Sequence, residues 1–159
     1  MLKDVLYGEA AKEIEILEFK AGGNSYGVEI SDVKEILNHN SKPTAIPNAH
    51  PYIEGIIKPR DFIISIINLT KGLKLDDVDK DKHDMLIVSG INDMNIAFHV
   101  DSVIGIHKIM NKEVQVPGKK VSTALEDAVL GVLTKDGRRI EVIDFRVIIA
   151  EINPKLTLK

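Results

Sequence analysis

The spacing of hydrophobic positions changes period several times along the chain, and each change predicts an element. Leu2, Val5 and Leu6 fall at helical spacing and predict a short amphipathic arm within the first dozen residues. Over residues 14–20 the pattern becomes that of a strand. Gly22, Gly23 and Asn24 then supply positive-φ residues for a turn, before Tyr26, Val28 and Ile30 alternate on one face. Ser31 reads as the N-cap of a short helix on which Val33, Ile36 and Leu37 make an i, i+3, i+4 stripe. Pro43, Pro47 and Pro51 hold the next segment extended or turned. Two β-branched runs, 53–57 and 62–67, flank Lys58, Pro59, Arg60 and Asp61, which predicts a second hairpin with a charged tip.

Residues 74–84 are dense in charge and poor in apolar content, the pattern of a solvated loop between two halves. Strands resume at 86–88, 95–100 and 103–109, with Asn92 and Asp93 at the first turn. A further hairpin joins 129–133 to 139–143 through Asp136 and Gly137. Asp144 then caps a helix carrying Phe145, Ile148, Ile149 and Ile152 on one face, and Pro154 ends it.

The chain also repeats itself. Residues 54–69 align without gaps on 130–145, matching Gly55 with Gly131, Ile64 with Ile140, Ile67 with Ile143 and Asn68 with Asp144. Residues 28–36 align on 98–106, matching Ile30 with Val100, Val33 with Val103 and Ile36 with Ile106. The order of the two blocks is kept. A β pattern used twice, in strands this short, predicts a mainly β fold of two small barrels of about five strands each, because closing a sheet removes its exposed edges. The expected subdomains run over about 14–75, with the C-terminal segment returning to them, and over 84–145.

Composition narrows the function. A chain of 159 residues with 44% hydrophobic residues can bury a real core, while either half alone would be marginal. A net charge of -3 disfavours binding to nucleic acid or anionic lipid, which requires clustered Lys and Arg. There are no cysteines, which removes disulfides and thiolate chemistry. The first twelve residues carry Lys3, Asp4, Glu9 and Lys12 and do not read as a signal peptide, and no apolar run is long enough to insert in a membrane. The expected address is cytoplasmic.

No catalytic, cofactor or metal constellation is legible. Asp77, Asp79 and Asp81 imitate the start of a calcium loop, but Lys82 and Val88 stand where Gly and Glu are required. Ser31 to Lys34 spells S-x-x-K without its companion motifs, so the serine reads as a cap. His39, His50, His83, His99 and His107 include no i, i+4 pair, and His99 reads as a surface residue. What remains is a protein-binding module. A small-barrel nucleic-acid binder and a ligand-binding barrel are the alternatives; the first would need exposed aromatics, and only four Phe and three Tyr exist.

Four runs carry a family likeness: YGVEISDVKEI (26–36), IPNAHPYIEGIIKPRDFIISIINL (46–69), IAFHVDSVIGIHKI (96–109) and GVLTKDGRRIEVIDF (131–145). In order and spacing they resemble the CheW-like domain of bacterial chemotaxis coupling proteins. IEILEFKAGGNSYGVEI, NAHPYIEG and the terminal EINP look most like the N-terminal domain of the CheV branch, whose phosphorylatable receiver domain would lie beyond Lys159 and is absent from this chain.

The resemblance implies a single CheW-like domain over 1–159, made of two SH3-like five-stranded barrels with short helices and a C-terminal helix. It also implies a scaffold in receptor arrays that joins the cytoplasmic tips of methyl-accepting chemoreceptors to the regulatory domain of the histidine kinase CheA. Val33, Glu35 and Ile36 occupy the family's V-x-E-I segment, associated with receptor binding, and Arg60 its hairpin-tip arginine. Around Arg60 the pattern departs. Lys58, Pro59 and Asp61 replace the usual Asn, Leu and Gly of a coupling hairpin that begins near Gly55, and Asp61 tolerates positive φ less well than Gly. The expected binding surface is an apolar cleft between the barrels that accepts a helical receptor tip, with Val33 as anchor.

Overall fold

The computed structural model describes residues 2–76, 84–91, 93–118 and 121–153. Asp77, Asp79, Asp81, Lys82, His83, Asn92 and Pro154 lie outside them. In chain order the elements are α1 (Leu2–Tyr7), β1 (Glu13–Ala21), β2 (Asn24–Glu29), β3 (Val33–Asn38), β4 (Ile53–Ile57), β5 (Ile64–Asn68) and α2 (Leu69–Gly72). There follow β6 (Met85–Ile91), β7 (Met94–Val100), β8 (Ser102–Met110), β9 (Val129–Lys135), β10 (Arg138–Ile143) and α3 (Phe145–Ile152).

Two five-stranded sheets form, in the orders β8-β1-β2-β10-β9 and β3-β6-β7-β5-β4. Superposing the repeat on these orders makes β6 to β10 the second copies of β1 to β5. Each sheet then has the same arrangement, two leading strands from one copy and three trailing strands from the other. The joints are the parallel pairs β2 with β10 and β5 with β7. The expected division near residues 75–84 therefore does not coincide with the sheets. The chain changes sheet at the tight turn Ile30–Asp32 between β2 and β3, and again at Asp101 between β7 and β8. At the second crossing Asp101 is 3% exposed; its amide donates to Lys20 O and its carboxylate accepts from Gly22 N, each at 2.8 Å.

The segment after Ser31 is a strand, not the expected helix. Its apolar spacing suits either period, but β6 offers an unpaired edge, and Ile36 and Leu37 pair with Ile87 and Leu86 across it. The Ser31 hydroxyl donates to the Glu29 carboxylate and caps nothing. Asn24 opens β2 in extended backbone, so the first turn rests on Gly22 and Gly23 at φ of 57° and 81°. The other hairpins, α1 and α3 form where the pattern places them, and Asp144 caps α3 by accepting from Arg146 N at 3.0 Å.

Each barrel has its own small core: Ile14, Ile16, Ile109, Leu133, Ile140 and Val142 in one, and Ile64, Ile66, Leu86, Val88 and Ala97 in the other. A larger cluster fills the space between the sheets. There Phe98 stacks on Phe145 with centroids 3.8 Å apart, and Phe19 and Tyr26 close the group. Ile148 and Ile149 of α3 seal it from one side. The matched glycines of the repeat also gain a reason. Thr44 bridges to Ile56, and Gln115 to Val132, through paired backbone hydrogen bonds of 2.8–2.9 Å that lay a second chain across β4 and β9. A Cβ on Gly55 would stand 2.4 Å from Thr44 O, and one on Gly131 would stand 2.4 Å from a Val114 methyl and 3.1 Å from Gln115 O.

Candidate functional site

β3 and β4 are the two ends of their sheet and do not pair with one another. Side chains and one bridge cross the seam between them instead. Along β3, Glu35 and Leu37 turn inward while Ile36 and Asn38 face solvent, the period of two that a strand imposes, and a register shift before Glu35 turns Val33 instead to the central cluster. Glu35 accepts from the Arg60 guanidinium, which reaches over from the β4–β5 turn. Farther along, His39 Nε2 lies 3.0 Å from Glu54 Oε1. Between these links lies a hollow of about 570 Å³, lined in part by Leu37, Ile57, Lys58, Pro59, Ile63 and Leu86.

The structure thus brings Glu35, Arg60, Lys58 and Pro59 to one surface. Arg60 is 57% exposed at its side chain, and its guanidinium carbon lies 6.0 Å from the centre of the Phe62 ring. Phe62 and Ile63 are themselves exposed apolar residues, Ile63 at 59%, and precede β5 rather than belonging to it. Asp61 is exposed and has no positive φ, so no glycine-like conformation is required there. Gly55 is set apart from the tip by its role under Thr44, at φ of 146°.

Val33 and Ile36 share a face of β3, because a register shift between Val33 and Glu35 pairs them with Ser89 and Ile87, two positions apart on β6. Val33 is half-buried against the central cluster, while Ile36 stands 38% exposed farther along the same face. The space between the barrels near Val33 is filled, and the openings flank α3 instead. One, of about 620 Å³, is bordered by Glu29, Asp32, Leu130 and Arg146. The other, of about 410 Å³, is bordered by Ile53, Ile67, Met94, Ile149 and Ile152. Arg146 ties the first flank to the turn before β3 by a two-pronged bond to Asp32 at 2.9 and 3.0 Å, and this bond raises its already high pKa, outweighing burial.

Sequence reasoning missed two features. β8, the edge of the other sheet, exposes Ile104, Ile106 and Met110 on one face. The alternation was present in VIGIHKIM, and Ile106 is the repeat partner of Ile36, so both copies show an apolar residue at the same edge position. His99 is also not a free surface residue, since it is bonded on both ring nitrogens, to Glu54 and Asp84. No helix among the described residues is long and apolar enough to cross a membrane.

A duplicated pair of small barrels with exchanged strands, an ionic seam and exposed apolar edges defines a binding module of the small-barrel class. The chain belongs to the CheW-like domain family, whose model matches residues 15–153. Chemotaxis protein CheW of Thermotoga maritima is 29% identical over 92% of this chain and 95% of that protein, and CheW of Bacillus subtilis is 22% identical over 84% and 85%. Chemotaxis protein CheV3 of Helicobacter pylori is 29% identical over 65% of this chain and 36% of its own length, so both branches are represented. The crystal structure of the scaffolding protein TtCheW from Thermoanaerobacter tengcongensis superposes with a TM-score of 0.73 at 26% identity, covering 87% of this chain and 88% of that one.

Proposed function

We propose that this chain is a chemotaxis coupling scaffold that joins the cytoplasmic tips of methyl-accepting chemoreceptors to the histidine kinase CheA and so modulates kinase activity. The observation that carries the reading is the Glu35–Arg60 pair across the β3–β4 seam. It unites the two segments that the family likeness associates with coupling, and it sits beside exposed Phe62 and Ile63, a polar–apolar patch of the kind that protein partners cover. In this reading the protein acts by binding, as a non-enzymatic adaptor in the cytoplasm at the receptor arrays, and Ile36 contacts the partner from the outer face of β3. Val33, on the same face, anchors the start of the strand in the central cluster.

A single-strand nucleic-acid barrel is disfavoured on its own terms. Four of the seven aromatic rings, Phe19, Tyr26, Phe98 and Phe145, are fully buried and unable to stack on bases.

The test is retention of receptor tips and of kinase, offered separately, by the wild-type chain and by Arg60→Glu. The substitution should leave unfolding within about 0.5 kcal/mol, as befits an exposed residue. It should weaken receptor-tip binding by about 2–5 kcal/mol if the guanidinium is desolvated in the complex. Equal loss of folding and binding would refute the site, and retention of neither partner by the wild type would refute the adaptor.

A further inference from the structure

At one end of the β3–β4 seam, four segments of the chain bring two imidazoles and two carboxylates together. His39 follows β3, Glu54 lies on β4, His99 on β7, and Asp84 immediately precedes β6. One Glu54 oxygen lies 3.0 Å from His39 Nε2 and the other 2.5 Å from His99 Nδ1. The ring centres of His39 and His99 are 4.4 Å apart at 80°, so their edges converge instead of stacking. One ligand atom from each of His39, Glu54 and His99 lies within 4.8 Å of the other two.

We propose that His39, Glu54 and His99 form a binding site for a divalent transition-metal ion such as Zn²⁺. Three features of the chemistry point there. Imidazole nitrogens with a single carboxylate suit zinc and its neighbours, whereas magnesium and calcium favour all-oxygen sets. Next, His99 Nε2 lies 2.7 Å from Asp84 Oδ1. A carboxylate on the far ring nitrogen fixes the tautomer that turns the Nδ1 lone pair inward, which is the supporting arrangement metal-bound histidines have. Lastly, the side chains of His39, Glu54 and His99 are 9%, 20% and 20% exposed, covered enough to hold their rotamers yet open enough for an ion to enter.

In the absence of an ion the same atoms must share protons. His99 faces a carboxylate at each nitrogen, so both are satisfied only when the ring is an imidazolium. Burial opposes that charge, but the Glu54 and Asp84 bonds outweigh it and raise the His99 pKa. Glu54 is likewise held below the usual carboxylate range, where burial alone would raise it. A metal ion takes the place of the shared proton on Nδ1 and leaves the Nε2–H bond to Asp84 intact. Binding would also fasten the strand ends of a seam that has no β3–β4 backbone pairing.

The experiment uses the full chain without a histidine tag, stripped with EDTA, and titrates ZnCl₂ by calorimetry and CoCl₂ by visible absorption. Expected are one equivalent bound, a d–d band of a four-coordinate cobalt site, a higher melting temperature, and shifts of His39 Nε2 and His99 Nδ1 in ¹⁵N spectra of the wild type. Glu54→Gln and His99→Gln should remove the tight step, and Asp84→Asn should weaken it roughly 10–100-fold. His50→Gln, which is not one of the converging ligands, should leave it unchanged.

Because the nitrogen shifts are read on the wild type, a misfolded variant does not decide the outcome. Absence of one-equivalent binding would overturn the proposal, as would binding that persists in folded Glu54→Gln and His99→Gln. So would a titration in which His99 takes up a proton but no metal, which would make the cluster a proton-held clamp among His39, Glu54, Asp84 and Asp101.

Discussion

Replacing Glu18 by Gln tests whether the first barrel is closed at one end by charge. Glu18 follows Ile14 and Ile16 of the barrel core on β1 and is fully covered. Arg138 of β10 grips it with Nε at 2.8 Å and Nη2 at 2.7 Å, and His107 Nε2 of β8 lies 2.7 Å away. The Arg138 bond, against the upward push of burial and with help from His107 and Ser25, holds the carboxyl down from 4.5 to about 2. At 1.36 kcal/mol per pH unit the shift corresponds to about 3 kcal/mol. Arg138 is 35% exposed, so water screens the pair and about 2 kcal/mol is the expected net contribution.

The sign follows from the direction of the shift. A carboxyl whose folded pKa lies below its unfolded value binds fewer protons folded than unfolded. Its stabilisation is fully present above about pH 4.5 and is lost as pH falls toward 2. Urea unfolding of the wild type and of Glu18→Gln at pH 7, 4 and 3 reads this out. The variant should be less stable by about 2 kcal/mol at pH 7, and the gap should narrow steadily across the two acid points. A gap under about 0.5 kcal/mol at pH 7, or one that is the same at all three pH values, would refute the reasoning.

Two further substitutions separate structure from contact. Gly55→Ala places a Cβ 2.4 Å from Thr44 O at a φ of 146°, so thermal unfolding should show a loss of about 1–3 kcal/mol and weakened closure of the second barrel. Ile36→Asp, on the exposed face of β3, should leave unfolding within about 0.5 kcal/mol while reducing retention of the partner that Arg60→Glu also loses. Val33→Ala should instead cost about 1 kcal/mol of stability, and the reverse pattern in this pair would move the contact surface from Ile36 to the start of β3 at Val33.

Much of the fold was legible because short strands with Gly-rich or Asp-Gly turns state their period locally. The β9–β10 hairpin and the capped helix α3 are cases in which propensity, turn chemistry and burial agree. The segment 33–38 was not legible. Its apolar residues satisfy both periods, and the deciding partner, the edge of β6, lies some fifty positions away in sequence. Long-range geometry also hid the site's composition. Glu35 and Arg60 could be listed separately, but their pairing depends on how the sheet curls, and no spacing rule relates His39, Glu54 and His99. The repeat revealed which strands correspond and was silent on which ones pair.

That silence yields the sharpest test of the architecture. If each copy of the repeat built its own barrel, residues 1–76 would contain a complete sheet and fold alone. In the observed order, that fragment holds β1 and β2 without β8, β9 and β10, and β3, β4 and β5 without β6 and β7. Neither sheet is complete, β2 and β5 each lack their parallel neighbour, and the Phe98–Phe145 stack at the centre is missing entirely. Fragments 1–76 and 77–159 should therefore each give the far-ultraviolet circular dichroism and amide exchange of an unfolded chain. Mixed at equal concentration, they should recover cooperative unfolding, because every missing strand is supplied by the other piece. A fragment that folds by itself would show that strand exchange is not what holds the two barrels together, and the seam would then have to be explained from within a single repeat.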